Sequence, residues 1–269
     1  MSAPVALVTG ASSGIGSATA ESLARKGYRV VVHGRDERAV TEVARRVDGV
    51  AVTVDLARPD GAELLAARAL DVAGRVDVLV NNAGIGWAGS FAEMPVTTIE
   101  PLMTVNLTAP IALTRLLLPE MLERGHGCLV FVTSIVGRLG VAGEAVYAAT
   151  KAGLDCFAES LRAETRDSGV TIGVVMPGVV DTPFFERRGA SYTRSRPRPI
   201  SATAVAEAVA RCVETGAAEV YTPRWLRLPV AVRGVAPGAY RRLEARFGGG
   251  SSRRVESDDS RGEGPQRTS

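Results

Sequence analysis

A chain of 269 residues with 46% hydrophobic and 23% charged side chains has the make-up of an ordinary globular protein, long enough to bury one sizeable core. A formal charge of only +3, arginines scattered over the whole length and 5% aromatics argue against a nucleic-acid surface. Three widely spaced cysteines (Cys128, Cys156, Cys212) with no CxxC, and two distant histidines (His33, His126), argue against a disulfide framework and against a metal site, and suit free thiols in a reducing compartment.

The opening MSAPVALVTG has no basic region and too short an apolar run for a signal peptide, and no run of roughly 20 uncharged apolar residues follows, so a cytoplasmic location is expected. A strand over 5–10 precedes a helix over about 15–26. A strand over 28–34 precedes a helix over 37–47, and a strand over 49–56 a helix over 61–73. A fourth strand covers 76–84 and a long helix about 101–124. A fifth strand at 128–135 leads into a helix over 144–168, and a sixth strand covers 170–178. Continuous apolar strands separated by helices imply a mostly parallel sheet covered on both faces. Right-handed crossovers make this a doubly wound α/β domain of the Rossmann type, expected over 1–223.

Residues 179–200 break the rhythm, because Pro183, Pro197, Pro199, Gly189 and five arginines read as a long loop. A helix follows over 201–216, with Ser201 as N-cap and Gly216 near the C-cap, and then a last strand over 218–223. Residues 224–247 form a basic and apolar extension carrying six Arg and one Glu, in which Pro229, Pro237, Gly234 and Gly238 argue against one continuous helix. From Gly248 to Ser269 apolar residues almost vanish, and a disordered tail is expected.

The turn TGASSGIG, Thr9–Gly16, lies between the first strand and the first helix. Gly10, Gly14 and Gly16 let the backbone come close to a pyrophosphate, Ser12 and Ser13 add hydroxyl donors, and the helix starting near Ile15 offers unpaired N–H groups. A plain tight turn is the bland alternative. The spacing, Gly-x3-Gly-x-Gly, departs from the generic G-x-G-x-x-G. The sequence resembles the short-chain dehydrogenase/reductase family, single-domain branch, over about residues 4–222. The motifs are TGASSGIG, NNAG at 81–84, Asn106, Ser134, YAATK at 147–151 and PG at 177–178, in the family's order. The resemblance implies a nicotinamide-dependent oxidoreductase acting on a carbonyl or alcohol. It also implies a homodimer or homotetramer built on the helices that carry Asn106 and Tyr147.

A carboxylate at the end of the second strand of such a domain binds the ribose 2′-OH of NAD, and an Arg accepts the 2′-phosphate of NADP. By resemblance the acid's position falls on Gly34, with Arg35 next, so NADP(H) is favoured over NAD(H). Arg35 as a solvated loop charge is the alternative, and Asp36 reads better as a helix cap than as a ribose contact. The resemblance places Asp55 and Leu56 beside the adenine, although Asp55 also reads as a strand-end cap. It places Asn82, Ala83 and Gly84 around the cofactor and Pro177, Gly178, Val180 and Thr182 along the nicotinamide. Residues 183–200 become the expected substrate lid. Phe184, Phe185, Tyr192, Val141 and Trp87 are candidates for the substrate pocket, with no pattern that names a molecule.

Only two of 32 basic side chains are Lys, and one is Lys151, four residues after Tyr147 and so on the same helix face. A phenol titrates near 10, and a cation held close is expected to lower that value and make Tyr147 a usable acid or base. A slender ammonium can also reach ribose hydroxyls where a forked guanidinium fits poorly. A Y-x3-K pair alone is common as surface decoration. Ser134, at the end of a strand, is expected to hydrogen-bond the substrate oxygen; the adjacent Thr133 fits the strand alternation and the family spacing less well. By resemblance Asn106 holds a water that links Lys151 to solvent, with a helix kink or cap as its plain alternative. Two other function classes compete: a non-catalytic dinucleotide-binding sensor or scaffold, and a membrane-surface enzyme docking through 224–247.

Overall fold

The computed structural model describes residues 3–190, 192 and 197–247. Contacts divide the chain into two units, 1–231 and 232–269. In the first unit the elements run β1 (Val5–Val8), α1 (Gly14–Arg25), β2 (Arg29–Gly34), α2 (Glu37–Arg46), β3 (Val50–Thr53), α3 (Gly61–Ala73) and β4 (Val78–Asn81). Then come α4 (Ile99–Met103), a π-helical turn (Thr104–Thr108), α5 (Ala109–Arg124), β5 (Gly127–Val132), α6 (Ile135–Leu139), α7 (Ala145–Glu164) and β6 (Val170–Pro177). After them lie β7 (Val180–Asp181), α8 (Phe184–Arg187), β8 (Ile200–Ser201), α9 (Ala202–Thr215) and β9 (Glu219–Thr222). Helix α10 (Arg227–Val235) crosses the division between the units, and α11 (Pro237–Phe247) lies in the second. The predicted tail 248–269 lies outside the described residues.

The seven long strands are all parallel, in the order β3-β2-β1-β4-β5-β6-β9. Strand alternation sends one set of side chains to each face. Val5, Leu7, Val31, Leu129 and Phe131 join the core under α3, α5 and α7. Ala6, Val8, Val30, Val32, Cys128, Val130 and Val132 join the core under α1, α2 and α9. With both faces apolar and helices on each, the sheet is doubly wound, as expected. Every strand then points its C-terminal end to one edge. The order reverses between β1 and β4, so a crevice opens there.

The caps expected from sequence are present. Asp36 accepts from the Ala39 N–H at 3.0 Å and Ser201 from the Ala204 N–H at 3.2 Å, while Gly216 is left-handed at φ 64°. Four predicted stretches differ. The strand expected over 49–56 pairs only at Val50–Thr53, and the helix expected over 144–168 spans Ala145–Glu164. The loop expected over 179–200 holds α8 and a two-stranded parallel ladder of β7 with β8, in which Val180 pairs Ile200. The helix expected over 101–124 contains the π turn. Pro110 has no N–H to return to the carbonyl of Asn106, so the α-helical ladder cannot run unbroken through this point.

The run Val96–Arg124 is long and apolar enough, by length and composition, to cross a membrane. Leu102, Leu113, Leu117 and Met121 within it are almost fully buried in the protein's own core, which accounts for its apolar character.

Candidate active site

The glycine turn follows β1 and abuts the end of β4. Gly10 is left-handed at φ 65°, and a Cβ there would lie 2.7 Å from the Ala83 Cα, closer than packed atoms allow. Thr9 and Asn82 tie the two turns together. The Thr9 hydroxyl accepts from the N–H groups of Asn82 (2.9 Å) and Ala83 (3.0 Å), and the Asn82 amide donates to the Thr9 carbonyl at 2.8 Å. Asn82, expected near the cofactor, thus spends its side chain bracing the turn. Ser13 is the N-cap of α1 but makes no side-chain cap bond, and the first turn of α1 has no acidic residue. The positive end of this helix is therefore open to an anion.

His33 was not among the residues singled out for the site, yet it fastens the turn from β2. Its ring is 2% exposed, with Nε2 3.0 Å from the Val54 carbonyl. Its Nδ1 accepts from the Gly10 N–H at 3.4 Å, and the Ala11 N–H donates to the His33 carbonyl at 2.7 Å. These partners assign the proton to Nε2 and a neutral ring. Burial agrees, pushing the pKa down to about 4.

At the end of β2, a Cβ on Gly34 would stand 2.7 Å from a methyl of Val40 and 3.2 Å from the Ser12 Cβ. No carboxylate side chain fits there. Arg35, one residue on, is exposed and forms no hydrogen bond or ion pair among the described residues. Asp55 is exposed and caps the Ala57 N–H at 2.9 Å, while Leu56 is buried in the core. Pro177 ends β6, and Gly178 donates its N–H to the Thr222 carbonyl at 2.8 Å. Val180 is buried, and Thr182 lies against the glycine turn, 3.1 Å from where a Cβ of Gly14 would be.

Beyond β4 and β5 the remaining predicted residues converge. Lys151 is 3% exposed, and its Nζ donates to the Val132 carbonyl at 3.1 Å, 5.7 Å from the centre of the Tyr147 ring. Ser134, two residues past the end of β5, caps α6 by accepting from the Val136 N–H at 3.2 Å. Its hydroxyl approaches the Tyr147 phenol closely enough to favour the phenolate. A Cβ on Gly84 would lie 3.4 Å from Asn106 Oδ1 and 3.6 Å from Lys151 Nζ, so the NNAG turn borders the same spot. Asn106 is fully buried and clamps Ile85 from both sides: Oδ1 accepts from the Ile85 N–H and Nδ2 donates to the Ile85 carbonyl, both at 2.9 Å.

One expectation is corrected. A nearby cation was expected to lower the Tyr147 pKa. Burial instead pushes it up, Glu144 adds to the rise, and the Ser134 bond and the Arg188 charge only partly offset them. Lys151 turns its ammonium to the Val132 carbonyl rather than to the phenol, and burial brings its own pKa down to about 8, against a pull upward from Asp155.

Residues 183–190 cover the site. The Phe184 ring stands 5.6 Å from that of Tyr147, Phe185 is 5.9 Å further along, and Tyr192 another 5.6 Å. Arg188 pairs with Glu144 at 2.6 Å and lies over Phe185 at 4.4 Å.

Residues 4–193 match the family model described as short chain dehydrogenase. The chain belongs to that family. This short-chain dehydrogenase is 34% identical over 260 residues to the ketoacyl reductase HetN of Nostoc sp., covering 90% of this chain and 88% of that protein. Among solved structures, a short-chain dehydrogenase from Sphingobium yanoikuyae in complex with NADPH is similar at TM-score 0.78 and 29% identity, over 95% of this chain and 99% of that one. A bulky-bulky ketone specific alcohol dehydrogenase from Comamonas testosteroni is similar at TM-score 0.74 and 26% identity, over 88% and 95% of the two chains. As a family member the chain is a short-chain dehydrogenase/reductase enzyme.

Proposed function

We propose that this enzyme transfers a hydride between NADP(H) and a ketone or secondary alcohol, with Tyr147 as the acid or base. The observation that carries the reading is the meeting of Tyr147, Ser134 and Lys151 beside the NNAG turn, at the edge where the strands end.

The residues present fit a dinucleotide. The uncapped start of α1, with Ser12, Ser13, Gly14, Ile15 and Gly16, offers backbone N–H and hydroxyl donors to a pyrophosphate. Arg35 is free to take a 2′-phosphate, and Gly34 leaves no room for the acid that would select NAD. The NADPH bound to the Sphingobium neighbour supports the same preference. By the family resemblance, Asp55 and Leu56 would flank the adenine, Asn82, Ala83 and Gly84 the middle of the cofactor, and Pro177, Gly178, Val180 and Thr182 the nicotinamide. When bound, the nicotinamide supplies or accepts the hydride.

The chain's own residues manage the proton. In reduction Tyr147 gives its phenolic proton to the carbonyl oxygen, and in oxidation it takes one from the alcohol. Ser134 donates a hydrogen bond to that oxygen and stabilises the charge that develops on it. The Lys151 ammonium would donate to ribose hydroxyls of the bound cofactor. The Asn106 amide is already committed to Ile85, so any part it has in a relay to water runs through its backbone carbonyl, which Pro110 leaves without its usual partner. The row Phe184, Phe185 and Tyr192 makes an aromatic wall suited to a bulky apolar ketone. The similarity to a bulky-bulky ketone specific alcohol dehydrogenase and to a ketoacyl reductase supports the same reading. Exposed Leu116 and Leu122 on α5 suit a subunit contact between copies.

The test is a panel of ketones and alcohols followed at the nicotinamide absorbance, with NADPH and NADH in parallel. Tyr147→Phe should lower turnover by about a hundredfold to ten-thousandfold. Full turnover in that variant overturns the assignment.

A further inference from the structure

Helix α6 has only five residues, yet it addresses α7 at two points. Its cap, Ser134, approaches Tyr147. Its fourth residue, Arg138, donates from Nε to Asp155 Oδ2 at 2.8 Å. Between those two points lies Lys151. Gly137 makes the double contact possible, because a Cβ there would be 2.8 Å from the Ala152 nitrogen. Asp155 is 5% exposed and one helical turn beyond Lys151, on the same face of α7. Arg138 is in turn held by Glu219 of β9 at 2.7 Å, and Glu219 by the Tyr221 hydroxyl at 3.2 Å. Charges therefore alternate from the site outward: Lys151, Asp155, Arg138, Glu219. Asp155 Oδ1 is buried without a hydrogen-bond partner, and so is the Thr133 hydroxyl, which favours the Asp155 carboxylate.

We propose that Asp155, anchored by Arg138, is a positioning residue that keeps the buried Lys151 side chain charged and in place. The inference rests on the proposed role of Lys151 as an ammonium beside Tyr147. An ammonium removed from water loses hydration, and a carboxylate one turn away is the counter-charge that holds the proton on it. The groups around Lys151 agree. Asp155 is the charged group that pulls its pKa upward, against burial. Tyr147 on α7 and the Asn106 amide from the π turn are uncharged. Arg138 on α6 is taken up by Asp155 and Glu219, and Arg188 beyond α8 is paired with Glu144.

The chain has only two lysines, Lys26 and Lys151, so selective isotope labelling of lysine gives two side-chain signals by NMR. The Lys151 signal should titrate near 8 in the unchanged protein. In Asp155→Asn its midpoint should fall by about one pH unit, and Asp155→Glu should restore most of it. Activity should follow: a fall of about fivefold at pH 8 and little change at pH 6, because the site needs the protonated lysine. In the unchanged protein the same signal should also carry a small second inflection where Asp155 takes up its proton. This needs no variant and holds if Asp155→Asn fails to fold. An unmoved Lys151 midpoint, a rate loss equal at all pH values, or no second inflection overturns the proposal. The titration is read without turnover, so it is separate from the fate of the Tyr147 assignment.

Discussion

Glu144 and Arg188 form an ion pair at 2.6 Å with their side chains only 14% and 9% exposed, and it pins the covering segment to the first turn of the helix that carries Tyr147. The pair also sets the field at the phenol, since Glu144 raises the Tyr147 pKa and Arg188 lowers it. Arg188→Gln removes the pin and leaves a carboxylate unpaired beside the phenol. Breaking a buried pair from one side costs about 3–5 kcal/mol, and this slightly exposed one should cost about 2–3. The denaturation midpoint should fall accordingly. The KM for a bulky ketone should rise by about tenfold, because the aromatic wall no longer stays shut. The affinity for NADPH, measured by fluorescence, should change much less, since Arg188 lies away from the glycine turn.

The proposed preference for NADP(H) rests on one exposed side chain. Arg35 has no partner among the described residues to hold it elsewhere, and Gly34 beside it has no space for an acid. In Arg35→Ala, kcat/KM with NADPH should drop by about tenfold to a hundredfold, the worth of one charge-assisted phosphate contact. The value with NADH should stay within about twofold. Equal losses with both cofactors would place Arg35 outside any phosphate contact.

His33 makes the fold acid-sensitive. Its folded pKa is about 4, below the ordinary 6.5, so between these values the unfolded chain binds the extra proton. Stability is full above about 6.5, falls as pH drops through the window and levels off below 4. The loss is about 2 kcal/mol at pH 5 and on the order of 3 kcal/mol below 4. Protonation also sets an N–H against the Gly10 N–H, so the phosphate-binding turn should loosen first. Urea midpoints between pH 4 and 8 should show this slope, and His33→Gln should flatten it. An equal slope in both proteins would mean that other groups carry the acid sensitivity.

Sheet, helices and glycine turn were legible because their signals are local. Unbroken apolar runs mark strands buried on both faces, and Asp36, Ser201 and Gly216 mark helix ends through bonds to their own neighbours. The four-residue step from Tyr147 to Lys151 is local too. What stayed hidden depends on partners far along the chain. Asn106 is buried because it clamps Ile85, and nothing around position 106 announces that contact. Pro110 was the available sign of the π turn. The pairing of Val180 with Ile200 crosses twenty residues of Pro- and Arg-rich chain that reads as loop. The field on Tyr147 is hidden for the same reason: spacing places a cation near the ring, but only the packed structure reveals the burial and the Glu144 charge that raise the phenol's pKa.

Gly137 is where fold and chemistry are hardest to separate. A Cβ at this position would lie 2.8 Å from both the Ala152 nitrogen and the Lys151 carbonyl carbon, and 3.1 Å from the Lys151 Cβ. The two nearest are backbone atoms of α7 that cannot swing aside, so α6 must move outward. Overpacking of this kind costs about 1–3 kcal/mol, partly offset by up to about 1 kcal/mol of helix propensity gained by alanine. The larger effect should be on rate, because a displacement of α6 takes Ser134 away from the Tyr147 phenol and Arg138 away from Asp155. Gly137→Ala should therefore lower kcat by more than tenfold while the KM for NADPH changes little. Gly234→Ala, where a Cβ meets nothing within 4 Å, serves as the control and should leave both constants unchanged. A Gly137→Ala enzyme with normal kcat would mean that α6 need not sit this close for Ser134 to act.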